Sequence, residues 1–343
     1  MSRSTLLDMD LAPSDGLTGP PVAVSVVTPV YGAEECLHEL YTRLIRVLEP
    51  LGVSFEIIMV DDASPDRGWD TIRDIAATDG RVRGFRLSRN YGQHHAITAG
   101  LDLCRGDHVI IMDCDLQDAP EDIPALLAKA SEGFDIVIAR RTFRDDPLLK
   151  RLTSRVFYAG FRYLSDMPYD AEIGNFRVVT AQVVQTLRRF PEQLRFFGGL
   201  CMLVGFRVGN INVTHHPRFA GKSSYSYRKL FQLATRVIIA YSDKPLRLAI
   251  RLGFFLTGSA MAAAAYLFWR ALTHDIPVSG WASLIVSIYF LGGVMLFMLG
   301  IVGVYLGRVF DEVKRRPLYV IASATQADSS IHSRASLRAT QDA

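Results

Sequence analysis

The chain has 343 residues, 49% of them hydrophobic, and a formal net charge of only +3. That length suits one sizeable α/β domain plus an appendage, and the near-neutral total gives no reason to expect a nucleic-acid partner. Four scattered cysteines (Cys36, Cys104, Cys114, Cys201), with no C-x-x-C among them, exclude a disulfide framework and a zinc site and read as reduced, partly buried thiols of a cytosolic domain.

In chain order, residues 1–20 are polar, hold Gly and Pro and lack a continuous apolar run, so they read as a disordered tail rather than a signal peptide. Strand and helix signals then alternate. The pattern predicts strands over 22–30, 55–60, 82–87, 109–112 and 135–139, and helices over 33–48, 69–77, 94–104 and 120–131. Continuous β-branched runs alternating with helices predict a parallel sheet covered on both faces, and ligands bind beyond the carboxyl ends of such strands. Pro29 and Tyr31, Asp61 and Asp62, and Asp113 and Asp115 all fall at those ends.

The last of these pairs carries the most chemistry. Val109-Ile110-Ile111-Met112 runs straight into Asp113-Cys114-Asp115-Leu116-Gln117. No G-x-G-x-x-G follows the first strand and no G-x-x-x-x-G-K-[ST] occurs, which disfavours dinucleotide and P-loop sites. A diphosphate bound without a glycine cradle needs a cation. Asp113, Asp115 and the amide oxygen of Gln117 are hard oxygen donors suited to Mg²⁺ or Mn²⁺. The adjacent pairs His94-His95 and His215-His216 have no Cys or acid at ligand spacing and read as loop or helix-cap residues.

Further along, the charge becomes lopsided. Between Arg207 and Arg251 lie nine Lys/Arg and one acid, Asp243, and Lys314-Arg315-Arg316 follow the last apolar run. Tyr225, Tyr227, Leu230, Phe231, Leu233, Ala234, Val237 and Ile238 recur at helical spacing with Arg228, Lys229, Arg236 and Lys244 between them. That stretch fits an interfacial helix facing lipid phosphates, or an ordinary amphipathic helix packed on the domain. Residues 252–269 and 276–307 hold no charged residue. Eighteen residues rise ~27 Å as a helix, enough for a bilayer core. The short link 273–277 makes the two spans antiparallel, and Trp269, Trp281 and Tyr305 sit where interfacial aromatics belong. Basic residues cluster before the first span and after the second, so the positive-inside rule puts the α/β domain and both termini in the cytoplasm of a multi-pass inner-membrane protein. Small residues in both spans (Gly258-Ser259-Ala260, Gly292-Gly293, Gly300, Gly303) permit close helix contact and hence a homo-oligomer.

Five stretches together are specific: Ser25-Val-Val-Thr-Pro-Val-Tyr31, Glu56-Ile-Ile-Met-Val-Asp-Asp-Ala-Ser-Pro-Asp66, Ser88-Arg-Asn-Tyr-Gly-Gln-His94, Asp113-Cys-Asp-Leu-Gln-Asp-Ala-Pro-Glu121 and Arg218-Phe-Ala-Gly-Lys-Ser-Ser-Tyr225. With the two spans, the chain resembles, over about 22–320, the family 2 glycosyltransferases of GT-A fold, in the polyprenyl-phosphate branch. The resemblance implies inverting transfer of a sugar from a UDP- or GDP-linked donor to a polyprenyl (undecaprenyl) phosphate, for cell-envelope glycan or lipid modification. It implies that Pro29, Tyr31 and Asp62 contact the nucleotide, with Asn90 and Gln93 lining its pocket. Asp113, Asp115 and Gln117 would hold the metal on the diphosphate, Arg141 would help hold phosphate, and Arg218 would meet the diphosphate or the lipid phosphate.

Three positions depart from the family pattern. Ala33 replaces a frequent Glu, Ser224 a frequent Lys, and Asn175, in Gly174-Asn175-Phe176-Arg177, the frequent Asp of an Asp-Phe-Arg motif. An Asn is no general base, but a phosphate monoester with a second pKa near ~6 is already nucleophilic. The layout expected is therefore a tail (1–20), a GT-A domain (21–223), interfacial helices (224–250), a transmembrane hairpin (251–307) and a cytoplasmic tail (308–343). Two rivals stand beside it. One is a processive polysaccharide synthase, against which Gln185-Thr-Leu-Arg-Arg189 lacks the Trp of Gln-x-x-Arg-Trp. The other is a non-catalytic nucleotide-binding membrane partner.

Overall fold

The structure is a computed structural model that describes residues 21–141, 160, 163–164, 173–190, 192–214, 235, 238–239, 242–273 and 280–325. In chain order the elements are β1 (Val24–Val30), α1 (Glu34–Leu48), β2 (Phe55–Asp61), α2 (Gly68–Thr78), β3 (Val82–Leu87), α3 (Gln93–Leu103), β4 (His108–Ile111) and α4 (Ile123–Ser131). There follow β5 (Ile136–Arg141), β6 (Ile173–Thr180), α5 (Ala181–Arg188), α6 (Phe197–Leu203), β7 (Val208–Val213), α7 (Lys244–Thr273), α8 (Trp281–Val313) and β8 (Ile321–Ala324). The strands form one sheet in the order β7-β5-β6-β4-β1-β2-β3-β8. The pairs β1–β2, β1–β4, β2–β3 and β5–β7 are parallel. β6 runs antiparallel between β4 and β5, and β8 antiparallel along β3.

Why these runs are strands is visible in their burial. β1 and β2 are buried at every position, as expected for parallel strands covered on both faces. Alternate residues go to opposite faces. Val24, Val26, Val30, Phe55, Ile57, Met59, Ile110 and Met112 join one core with α1, α2 and α4. Val27, Ile58, Val60, Val109 and Ile111 join the other with α3, α5 and α6. Continuing the alternation past each strand, Asp62 and Asp113 fall on the second face, the one α3 covers. The strand period therefore decides which helix the site carboxylates meet.

At the opposite end of the sheet a buried ionic knot ties β1, β2, β3 and the turn before β4. Glu56, 1% exposed, accepts from Ser25 Oγ at 2.6 Å, Arg83 Nη1 at 2.9 Å and the Arg105 backbone N–H at 2.8 Å. Arg105 Nε and Nη2 complete a fork on Glu56 Oε2 at 3.0 and 2.8 Å. Ser25 Oγ in turn accepts the Gly106 N–H at 2.8 Å.

Both C-terminal helices, α7 and α8, are long and apolar enough to cross a membrane. Their side chains are exposed as lipid-facing ones would be, Phe254 of α7 by 76% and Tyr289 of α8 by 79%. α7 begins at Lys244, so residues 244–250, anticipated as interfacial, are continuous with the first apolar helix. Of the anticipated interfacial stretch, residues 224–234, 236–237 and 240–241 lie outside the described residues.

Candidate active site

The carboxyl ends of β1, β2 and β4 converge on one rim, and each continues into a turn fixed by backbone conformation. Ala63, after β2, and Leu116, after β4, hold left-handed φ values of 53° and 59°. Such values are uncommon for non-glycine residues and concentrate at functional sites. Leu116 is held there by its side chain, only 2% exposed in the core. The turn after β2 is laced to the one after β1: Ser64 Oγ accepts the Gly32 N–H at 3.2 Å, and Asp61 Oδ1 accepts the Ser64 N–H at 3.1 Å.

Asp62 is buried at 2% exposure and is held by two backbone N–H groups. Its Oδ1 accepts the Tyr91 N–H at 2.7 Å and its Oδ2 the Gly92 N–H at 2.8 Å. Gly92 caps α3 at φ 97°, a conformation that suits glycine. Burial pushes the Asp62 carboxyl above its ordinary range, reinforced by neighbouring Asp61 and opposed by those two N–H groups. Gln93, the first residue of α3, donates from Nε2 to Asp113 Oδ1 at 2.7 Å. The loop 88–93 thus grips both carboxylate clusters at once.

Asn175 makes the second contact to Asp113. In the β4–β6 register His108 faces Thr180 and Ile111 faces Arg177. Two residues further on, the same register sets Asp113 opposite Asn175, and Asn175 Nδ2 donates to Asp113 Oδ1 at 3.2 Å. Two neutral amides therefore orient the Asp113 carboxylate. Asp113, Asp115 and Gln117 are each half-buried in the turn, and the Gln117 N–H closes that turn on Asp115 Oδ1 at 3.2 Å. Cys114, between the two acids, hydrogen-bonds the Tyr31 backbone and ties this turn to the end of β1, while burial raises its thiol pKa.

Among the described residues no three His, Cys, Asp or Glu side chains come together as a metal cage. Two carboxylates with one amide oxygen nevertheless fit a hard cation that keeps several positions for phosphate oxygens, the usual mode of Mg²⁺ binding. Of the other anticipated site residues, Pro29 is buried near the end of β1 opposite Val60, Tyr31 is 52% exposed on the rim, and Asn90 is exposed in the loop that holds Asp62. Arg141 ends β5, opposite Val213. Arg218 lies outside the described residues.

Behind this rim lies a buried group the sequence did not reveal. Arg177 is 1% exposed; its Nη2 donates to Gly174 O at 2.6 Å, its Nε to Asn175 O at 3.3 Å, and its guanidinium stacks 5.0 Å from the Phe197 ring centroid. It folds back on the strand segment that presents Asn175. His94 is half-buried beside it, edge-on to Phe196 at 5.5 Å, with its buried Nδ1 unpartnered. Burial, then the charges of His95 and Arg177, hold the His94 pKa down to about 4. A histidine depressed in the fold contributes stability above its unfolded pKa, and loses it as pH falls from 6.5 toward 4. Acidification from pH 7 to 4 should therefore cost about 3 kcal/mol through His94 alone. Denaturant unfolding of the detergent-solubilised protein should show it, with His94→Gln flattening the slope; an unchanged slope in that variant would contradict the assignment.

The family model described as glycosyl transferase family 2 matches residues 25–188. An uncharacterized glycosyltransferase of Synechocystis is 38% identical over 302 residues, 88% of this chain and 95% of that protein. The SfII prophage-derived bactoprenol glucosyl transferase of Shigella flexneri is 36% identical over 87% of this chain and 97% of its own length. Among solved structures, a mannosyltransferase of Pyrobaculum calidifontis in complex with GDP-Man and Mn²⁺ superposes with a TM-score of 0.45 at 17% identity, covering 87% of this chain and 88% of that one.

Proposed function

Because the chain belongs to glycosyl transferase family 2, we propose that it moves a sugar from a nucleoside-diphosphate donor to a polyprenyl phosphate at the cytoplasmic face of the inner membrane. Its mostly parallel sheet is the GT-A fold, followed by two helices apolar enough to span a bilayer. The observation that carries the proposal is Asp113 oriented by the amides of Gln93 and Asn175 on the same rim, and by the same loop, as Asp62.

In this reading Pro29, Tyr31, Asp62, Asn90 and Gln93 receive the nucleotide. Asp113, Asp115 and Gln117 would hold Mg²⁺ or Mn²⁺, which when bound offsets the charge of the leaving diphosphate. Arg141 and Arg218 would add positive charge where phosphate accumulates. The residue beside Asp113 is an amide, not a carboxylate, so no protein base is assigned. The acceptor phosphate, largely dianionic at neutral pH, attacks the anomeric carbon in line and inverts it. The basic foot of the first apolar helix (Lys244, Arg247, Arg251) and the Lys314-Arg315-Arg316 run beyond the second would face the anionic inner leaflet.

The test is a panel of UDP- and GDP-sugars offered to the purified protein with undecaprenyl phosphate, lipid products being read by mass spectrometry. One sugar per lipid supports the proposal. Polymer would favour a processive synthase, and nucleotide binding without product a non-catalytic partner. Arg218→Ala should lower the transfer rate or raise KM for the lipid phosphate about tenfold or more while leaving Tm unchanged. Unchanged kinetics across acceptor concentrations would remove Arg218 from the site.

A further inference from the structure

The last described stretch of the chain leaves the second apolar helix and returns to the sheet that carries the site. At the foot of α8, Glu312 accepts the Gln193 N–H on both carboxylate oxygens, at 3.0 and 3.1 Å, and Gln193 Nε2 donates to Arg316 O at 2.9 Å. His95, on α3, hydrogen-bonds the backbone of the same Gln193. Arg315 then takes a left-handed φ of 46°, and Pro317 prevents the helix from resuming. The Tyr319 hydroxyl donates to Asp102 Oδ2 on α3 at 2.8 Å, and Val320 O accepts the Ser88 N–H at 2.8 Å.

From there β8 adds to β3, pairing Leu87 with Ile321, Arg86 with Ser323 and Phe85 with Ala324. Thr325 closes the pairing: its N–H reaches Gly84 O, and its Oγ1 accepts the Gly84 N–H, both at 3.0 Å. A Cβ on residue 84 would stand 2.8 Å from Thr325 Cγ2 and 2.3 Å from Ile72 Cγ2, so this seat needs a glycine.

The edge that β8 covers is the strand that leads directly into the loop 88–93. That loop holds Asp62 through Tyr91 and Gly92, and Asp113 through Gln93. Only residues 314–319 separate the end of α8 from the first bond to that edge, Ser88 to Val320. The feet of the two apolar helices are also joined, by the Tyr305 hydroxyl donating to Ser242 O at 2.8 Å. Protection of a sheet edge needs only a strand. Here the strand is continuous with an apolar helix, and two further tethers bind that helix end to α3 and to the segment before α6.

We infer that Glu312, Tyr319 and β8 form a positioning strap, which sets the donor-gripping loop 88–93 at a fixed height above the bilayer so that a membrane-held acceptor phosphate meets the donor in line. The inference rests on the transferase reading above. These residues act through the loop and touch no substrate. Misplacement of reacting groups by about 1 Å can cost about a hundredfold in rate, so slack in the strap is read most directly in turnover.

The experiment inserts Gly-Ser-Gly-Ser between Arg316 and Pro317, which keeps every residue of the strap and the site. Rates are compared on undecaprenyl phosphate in liposomes and on a short, water-soluble isoprenyl phosphate. The expected result is a fall in kcat of about tenfold or more on liposomes, with the short-acceptor rate, the donor KM and Tm unchanged. Glu312→Ala should shift the same ratio in the same direction, and Glu312→Gln, which keeps an acceptor oxygen for Gln193, should restore it. Wild-type turnover on liposomes, or an equal loss on both acceptors, overturns the strap. The unmodified chain run alongside reports on the transferase reading separately: inactivity there on both acceptors overturns that reading as well.

Discussion

Alanine in place of Asp115 is expected to reduce sugar transfer by about a hundredfold or more, since a bound cation is worth several kcal/mol to a leaving diphosphate and each 1.4 kcal/mol is tenfold in rate. The fold should not change. Asp115 is half-buried in the turn after β4, where its Oδ1 accepts the Gln117 N–H. The buried neighbours Cys114 and Leu116, which anchor the turn, are untouched. The variant should therefore melt with the wild type and float with liposomes, yet lose the effect of added Mn²⁺ on donor binding. Wild-type turnover in Asp115→Ala would remove the cation from this turn.

The second large effect concerns stability. Glu56→Ala should lower the unfolding free energy by about 3–5 kcal/mol, because it breaks the buried pair of Glu56 with Arg83 by removing one partner. Glu56 also satisfies Ser25 and Arg105, so the deletion loosens β1, β2 and β3 together. Burial pushes the Glu56 carboxyl up, but the Ser25 hydroxyl, Arg83, Arg105 and the Arg105 N–H hold it below its ordinary value. A depressed carboxylate contributes stability above its unfolded pKa, which is lost as pH falls through the folded one. The penalty of Glu56→Ala should therefore shrink in acid. Asp62 lies six residues along from Glu56, about 20 Å of strand, so donor binding measured well below the melt should be preserved. A stability change under about 1 kcal/mol would show that the knot is solvated rather than buried.

How much of this was legible follows from the kind of signal each part leaves. β1 to β5 announce themselves as apolar β-branched runs, and the structure places them within two residues of expectation. The rim acids were legible for the same reason, since a polar pair after such a run must sit at a strand end. β6 was not, because Arg177 and Asn175 interrupt its apolar pattern; Arg177 is buried by two carbonyls and an aromatic face, partners no local pattern encodes. The contact of Asn175 with Asp113 depends on antiparallel register across 62 positions. β8 is four residues long and pairs with a strand more than 200 residues earlier, so it was taken into a tail. Lys244, Arg247 and Arg251 made the start of α7 look interfacial, although one helix runs through them into the apolar stretch.

Titration calorimetry of UDP and GDP into the full-length, detergent-solubilised protein, with Mn²⁺ and then with excess chelator, tests the central claim most directly. One nucleotide should bind with Mn²⁺ present and lose at least about tenfold in affinity without it, and Asp113→Ala should abolish the difference. Equal affinity with and without the cation would contradict a metal-held diphosphate at the tip of β4.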